Sequence, residues 1–394
     1  MLSIYLSIYL SVISHRWWEV RQFHSLHEGT TLRSMRLTSL LVATLALHLG
    51  GTDAFTLRTA SRTTHRTNNR HVLMAIEPAD VKALSYYLSE VACVKPPAEL
   101  GGLVGLLVSR GEEVLAPGSD ASLHPFLVPL TRSTVDGEIT GLLRWPGQTE
   151  QLPVVRTNGT QLDLLAQRAD QYVHREAILA DTNDAADKGD LATLAEQICK
   201  AWDPEAAANA PGGLDGLLLT RVGPFASSYE RLALKHLASG SEQAALIACE
   251  RSSQLLVAWG HPMGFHARML HSLGREEEAR DVARAALSLP LWTLSPMPLE
   301  EVISLAQSTP EEVAATKRLK ADGKLTEEEL RKNNGYDKRT PQEVAKERAS
   351  FLLDLVIAQP DAYSYEACRQ ELAELYTEAE EAPLAAFVCP EVQP

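Results

Sequence analysis

The chain has 394 residues, 45% of them apolar, and a formal net charge of −14. That is long enough for a sizeable core or two modest domains. Residues 1–75 hold eight Lys/Arg and three Asp/Glu, which leaves 29 basic and 48 acidic residues, a net of −19, beyond them. A body this acidic excludes nucleic acid and anionic membrane as electrostatic partners. The five cysteines, Cys93, Cys199, Cys249, Cys368 and Cys389, are odd in number and lack a Cys-x-x-Cys pair. They point to a reducing compartment and away from a disulfide scaffold or a zinc ribbon.

Met35-Arg36 leads into "LTSLLVATLALHLGG", an apolar run of signal-peptide length. It is too short for a stable membrane span. From Ala54 to Ala75 the chain carries four Arg, five Thr and no acid, the composition of a transit peptide. The competing reading is a membrane anchor followed by a basic linker. Residues 1–34, with the tandem "LSIYLSIYLS", are taken as an extension ahead of a true start at Met35. A signal peptide running straight into a transit peptide resembles the bipartite presequence of algae with secondary plastids. In those presequences a Phe follows the cleavage point. Ala54-Phe55 fits, while Asp53 and Thr56 depart from the usual flanking residues. The resemblance implies delivery to the plastid stroma and a mature start between Phe55 and Ile76.

In the mature chain, Val81, Leu84, Leu88 and Val91 predict a helix over residues 79–95. "LVGLLVS" and "EEVL", either side of Arg110-Gly111, predict a strand hairpin. "PFLVPL", "EITGLLRW" and "QLPVVR" complete four or five short strands in a small antiparallel sheet. From Gln161 onward the pattern is helical, with "LDLLAQRADQYVHREAILA" and "DLATLAEQICKAW" as helices and residues 205–216 as a linker. Three later helices should start at Thr309, Thr326 and Thr340, each a hydroxyl cap followed by acids. The charged stretch 317–340 is expected to be an exposed connection.

Residues 227–290 carry an internal repeat. Gly240 and Gly274 lie 34 residues apart, and each is followed by an alanine five residues on, Ala245 and Ala279. At equal offsets before them stand Tyr229, Leu232 and Ala233, then Met263, His266 and Ala267. The segment resembles two tetratricopeptide repeats, in which small residues let paired helices approach and a glycine allows the turn. A non-repeat helical bundle is the alternative. More broadly, "RWPGQTEQLPVV", "ARAALSLPLWTL" and "TPQEVAKERASFLLDL" resemble a family of plastid proteins of plants and algae.

The expected fold is mostly α, with tetratricopeptide-like hairpins and a small N-terminal α+β region. The expected organisation is 1–34 extension, 35–75 presequence, 76–157 α+β domain, 158–305 helical domain and 306–394 C-terminal helical region.

Dinucleotide, P-loop, serine-hydrolase and zinc-protease motifs have no match in spacing, so no cofactor and no catalytic residue is expected. Asp181, Asp184, Asp187 and Asp190 lack the Gly and the acid that a calcium loop needs. His261, His266 and His271 fan around a helix, so no metal is expected. Cys249 reads as a small packing residue.

Two functions remain. The first is a soluble plastid scaffold or assembly factor that binds other plastid proteins, its groove lined by Glu230, Leu234, His261, Arg268 and His271. The second is a plastid enzyme with a cleft between the 98–156 sheet and the helices, near Arg144, Trp145 and Arg156. The presequence reading has its own check. A reporter fusion carrying Phe55→Ala should accumulate before the plastid, and normal import of that fusion would remove the argument.

Overall fold

The computed structural model of the protein describes residues 78–118, 120–157, 159–182, 210–324, 331 and 339–390. The expected helix at 190–202, Asp184, Asp187 and Asp190 of the aspartate series and the helix start at Thr326 lie outside them.

Helix α1 spans Pro78–Tyr86 and runs on into a π-helical turn, Tyr87–Val91. Leu84 and Leu88 of the predicted stripe are fully buried, with Val81 and Val91 packed beside them. Residues 103–109 correct the sequence reading. They belong to helix α2, Leu100–Ser109, and not to a strand. The reason is burial on nearly every side: Leu100, Leu103, Val104, Leu106 and Leu107 are all inside, so no polar face marks the helical period. Gly111 (φ +85°) ends this helix, its N–H donating to Val108 O.

The sheet contains β1 (Glu112–Val114), β2 (Leu127–Ser133), β3 (Ile139–Leu143), β4 (Val154–Thr157) and β5 (Asp163–Ala166), an antiparallel meander in chain order. Pro129 has no N–H to give, and the register of β2 against β3 shifts between Pro129 and Thr131. A Cβ at Gly141 would stand 2.5 Å from Val128 O, so only glycine allows these two strands to approach. β5 is a second correction, because its residues read in sequence as the start of a helix. Thr157 Oγ1 accepts from Gly159 N–H and donates to Gln161 O, folding the chain back along β4. Helix α3, Ala169–Thr182, follows.

The remaining elements are helical. They are α4 (Gly213–Arg221), α5 (Ala226–Ala238), α6 (Glu242–Leu255), α7 (Gly260–Ser272), α8 (Glu276–Ser288), a 3₁₀ turn (Leu291–Thr293), α9 (Leu299–Leu305), α10 (Pro310–Ala321), α11 (Pro341–Ala358), α12 (Tyr365–Glu378) and α13 (Ala382–Val388). The protein is thus mostly helical with a small antiparallel sheet near its N-terminal side. Thr309 and Thr340 start α10 and α11 as the sequence predicts, each in a capping box with the acid three residues on and a proline at the first helical position.

Two apolar cores result. The sheet, α1 to α3 and the last helices share one: Leu130 and Leu142 lie in the same cluster as Leu353, Leu372, Tyr376 and Phe387. The hairpins from α5 to α9 form the other, around Ala233, Ala245, Ala267, Ala279 and Ala286. Arg369 of α12 fastens the return of the chain, donating to Ala121 O, Leu123 O and Val388 O at 2.8–2.9 Å.

The cores meet at Trp292. Its ring lies 4.5 Å from that of His124, 4.8 Å from Trp145 and 6.1 Å from Trp259. Its carbonyl accepts from Leu162 N–H at 2.9 Å. Beside it, buried Asp354 accepts from Leu291 N–H at 2.6 Å and from Lys317 Nζ at 2.7 Å, and Nζ also donates to Leu289 O. The sequence reading assigns Lys317 to the exposed connection, and the structure corrects it. The residue is nearly buried on α10, because its carboxylate partner lies 37 residues further along the chain.

His124 supplies a pH test. Its ring is fully buried and its Nδ1 accepts from Phe126 N–H. Protonation would turn that acceptor into a donor aimed at another N–H. Burial, helped by the Arg369 charge, pushes the imidazole down to about 3. The unfolded ring takes a proton near 6.5. Stability is therefore complete above that value and falls as pH drops toward 3, by ~1.4 kcal/mol per pH unit from this group. Denaturant titrations of a His124→Asn variant should show an acid limb shallower by about one proton. An unchanged slope would mean that other groups set it.

Candidate partner-binding face

Two helical hairpins, α5–α6 and α7–α8, close through matching turns. Gly240 N–H donates to Leu237 O and Ser241 N–H to His236 O, both at 2.9 Å. Gly274 N–H donates to His271 O at 2.9 Å and Arg275 N–H to Leu270 O at 3.0 Å. The two glycines hold φ of +78° and +73°, and a Cβ at either would meet nothing within 4 Å. Conformation, and not crowding, therefore requires glycine there.

A third turn repeats the pattern. Gln307 N–H (φ +50°) donates to Ser304 O and Ser308 N–H to Ile303 O, closing the hairpin α9–α10. It falls 33 residues after Gly274. The sequence reading misses it because a glutamine stands in the left-handed position and α9 is short. Glu380 (φ +59°) makes the same turn between α12 and α13, where the sequence has no glycine.

The first helices of the three hairpins carry the residues expected to line the groove. Glu230 of α5 and His261, in the first turn of α7, meet at 2.5 Å between Oε1 and Nε2. His261 is 7% exposed, and its Nδ1 is buried without a partner among the described residues. Asp163 of β5 lies within electrostatic reach of His261, Arg156 and Glu230. Its carboxyl is raised by burial, against the pull of the His261 and Arg156 charges.

Arg268 of α7 makes a two-pronged pair with Glu301 of α9, Nε–Oε1 2.5 Å and Nη2–Oε2 2.7 Å. Both partners are more than a third exposed. Glu301 is not among the residues expected from sequence; its signal is an acid 33 places after Arg268, in the first turn of a helix. His271 pairs instead with Glu276 across the turn of its own hairpin, at 2.8 Å. Leu234 is half-exposed on α5. The structure thus links three successive first helices through Glu230–His261 and Arg268–Glu301, and leaves His271 and Leu234 outside those links.

The residues of the enzyme reading are tied into the framework. Arg144 is buried, donating to Ala92 O at 3.0 Å and to Trp145 O at 3.2 Å. Trp145 stacks at an angle on Trp259 and Trp292. Arg156 pairs with Glu138 at 3.1 Å. Cys249 is buried and its thiol is pushed up to about 12, chiefly by burial, which makes it a poor nucleophile. No helix among the described residues is long and apolar enough to cross a membrane.

By architecture this is a protein of consecutive helical hairpins set on a small antiparallel sheet. Models of the PAB family match it in three stretches: the PAB N-terminal region over 82–206, the PAB middle domain over 226–309 and the PAB C-terminal domain over 320–391. Protein IN CHLOROPLAST ATPASE BIOGENESIS, chloroplastic, of Arabidopsis thaliana, is 33% identical over 275 residues, covering 68% of this chain and 80% of that protein. The chain belongs to the PAB family. The expectation of a plastid family agrees with that relative's name.

The turn geometry sets up a stability test. Gly240→Val and Gly274→Val should each cost at least ~1 kcal/mol, since both place a side chain in the left-handed region. Gln307→Gly should recover about 1 kcal/mol. Equilibrium unfolding measures all three, and a Gln307→Gly variant less stable than the parent would show that this turn is held in some other way.

Proposed function

We propose that this protein is a plastid assembly factor in ATPase biogenesis, holding a client protein on the face formed by α5, α7 and α9. The role is carried over from the relative's printed name. In this reading the hairpins are a tetratricopeptide-like stack, the segment around Ala54-Phe55 is a bipartite presequence, and the mature protein works in the stroma.

The observation that carries the binding face is the Arg268–Glu301 pair. An exposed ion pair contributes only about 0–1 kcal/mol, so a client can exchange it for its own contacts at little cost. The arginine fork then receives a client carboxylate, and Glu301 receives a client cation. Leu234, half-exposed in the same first-helix series, supplies apolar contact. Glu230–His261 is different. With His261 buried, that link sets the spacing of α5 and α7 and stays closed.

The test is Arg268→Glu in the mature chain, with Arg268→Glu/Glu301→Arg as its companion. Both should fold with unfolding free energies within about 1 kcal/mol of the parent. Both should recover ATPase subunits from stroma at least tenfold less well. Full recovery by both folded variants would place the client elsewhere, whereas a parent chain that recovers no ATPase subunit would remove the ATPase role itself.

A further inference from the structure

A second site lies away from that face. A cavity of about 250 Å³ opens between α8 and α10. Leu287 and Val313 give it an apolar floor, and Arg284, Lys317 and Lys320 bring three cations to its lining. Lys317 is committed to Asp354 and Leu289 O. Arg284 is not: its Nε donates to Ala306 O at 3.1 Å, and its two Nη groups make no hydrogen bond among the described residues. That one backbone bond fixes the position of the guanidinium and leaves its forked donors unspent. Glu312 is the single acid of the lining, and its carboxylate is held by the Thr309 N–H in the capping box.

We propose that this cavity binds a short acidic segment of a partner protein, an Asp or Glu beside an aliphatic residue. The carboxylate pairs with Arg284, whose planar donors suit it two to two. The neighbouring aliphatic side chain covers Leu287 and Val313. The volume, below the range of pockets for drug-sized ligands, suits one or two side chains. Charge complementarity favours this occupant: the mature chain carries a net of −19, yet here the lining is cationic. Free phosphate satisfies the cations only. It leaves the apolar floor bare.

The probe is a fluorescein-labelled Gly-Leu-Glu-Leu-Gly peptide, capped at both ends and titrated with the full mature chain by fluorescence anisotropy. Saturable binding is expected, weakened at least tenfold when Glu is replaced by Gln in the peptide. Arg284→Ala should weaken it equally. Thr316→Glu adds an acid to the lining from an exposed helical position and leaves the Arg284–Ala306 bond intact. It should give the same loss, and it stands in if Arg284→Ala does not fold. Excess inorganic phosphate should not displace the peptide.

Equal affinity for the Gln peptide, or no binding by the parent chain, overturns the proposal. So does unchanged binding in a folded variant. Full displacement by phosphate would make this a small-anion site instead, and self-association lost in Thr316→Glu would make it a contact between two copies.

Discussion

Five residues, Leu289 to Thr293, hold the structure together. Leu291 N–H is gripped by buried Asp354, Leu289 O by Lys317, and Trp292 O by Leu162 N–H. The indole of Trp292 is wedged between His124, Trp145 and Trp259. A buried ion pair with its remaining hydrogen-bonding groups satisfied is tolerable, while either ion alone inside is costly, about 3–5 kcal/mol. α10, α11 and the connection after α8 are therefore locked to one another, and the sheet is locked to all three.

This clamp explains the order of elements along the chain. The first core starts at α1 and is finished only by α11 to α13, so the segment from α5 to α9 is held at both of its ends. The middle family model, residues 226–309, covers that second core and stops where α10 begins. In the stack of hairpins anchored in this way, the buried small residues Ala233, Ala245, Ala267 and Ala279 let neighbouring helices pack closely.

Two kinds of side-chain link cross that face, and burial separates their roles. Glu230–His261 is part-buried and joins α5 to α7. Arg268–Glu301 is wet, weak and available for exchange. Arg284, in the cavity between α8 and α10, makes one backbone bond among the described residues and has guanidinium donors beyond it. In the proposed reading the exposed charges take part in recognition, and the buried groups keep the spacing of the helices that carry them.

Much of this was legible in the chain itself. The glycines at 240 and 274, the alanines that follow each of them, the capping threonines at 309 and 340 and four of the five strands follow from local chemistry: left-handed φ, close helix approach, orphan N–H groups and strand alternation. These depend on neighbours a few residues away, or on a repeat that can be counted. Of the candidate face, the sequence located Glu230, Leu234, His261, Arg268 and His271 on the first helices. It did not show that Glu230 and His261 pair with each other, or that Glu301 occupies the arginine. α2 was misread because a helix buried on nearly all sides loses its periodicity, and β5 because its ladder partner β4, more than its own residues, makes it a strand. The third hairpin turn was hidden because a glutamine, and not a glycine, stands at positive φ. Lys317 with Asp354, and Trp292 with His124, are separated by 37 and 168 residues. Such pairs form only when the whole chain has folded, since no local preference brings a lysine or an indole inside until its partner is already there.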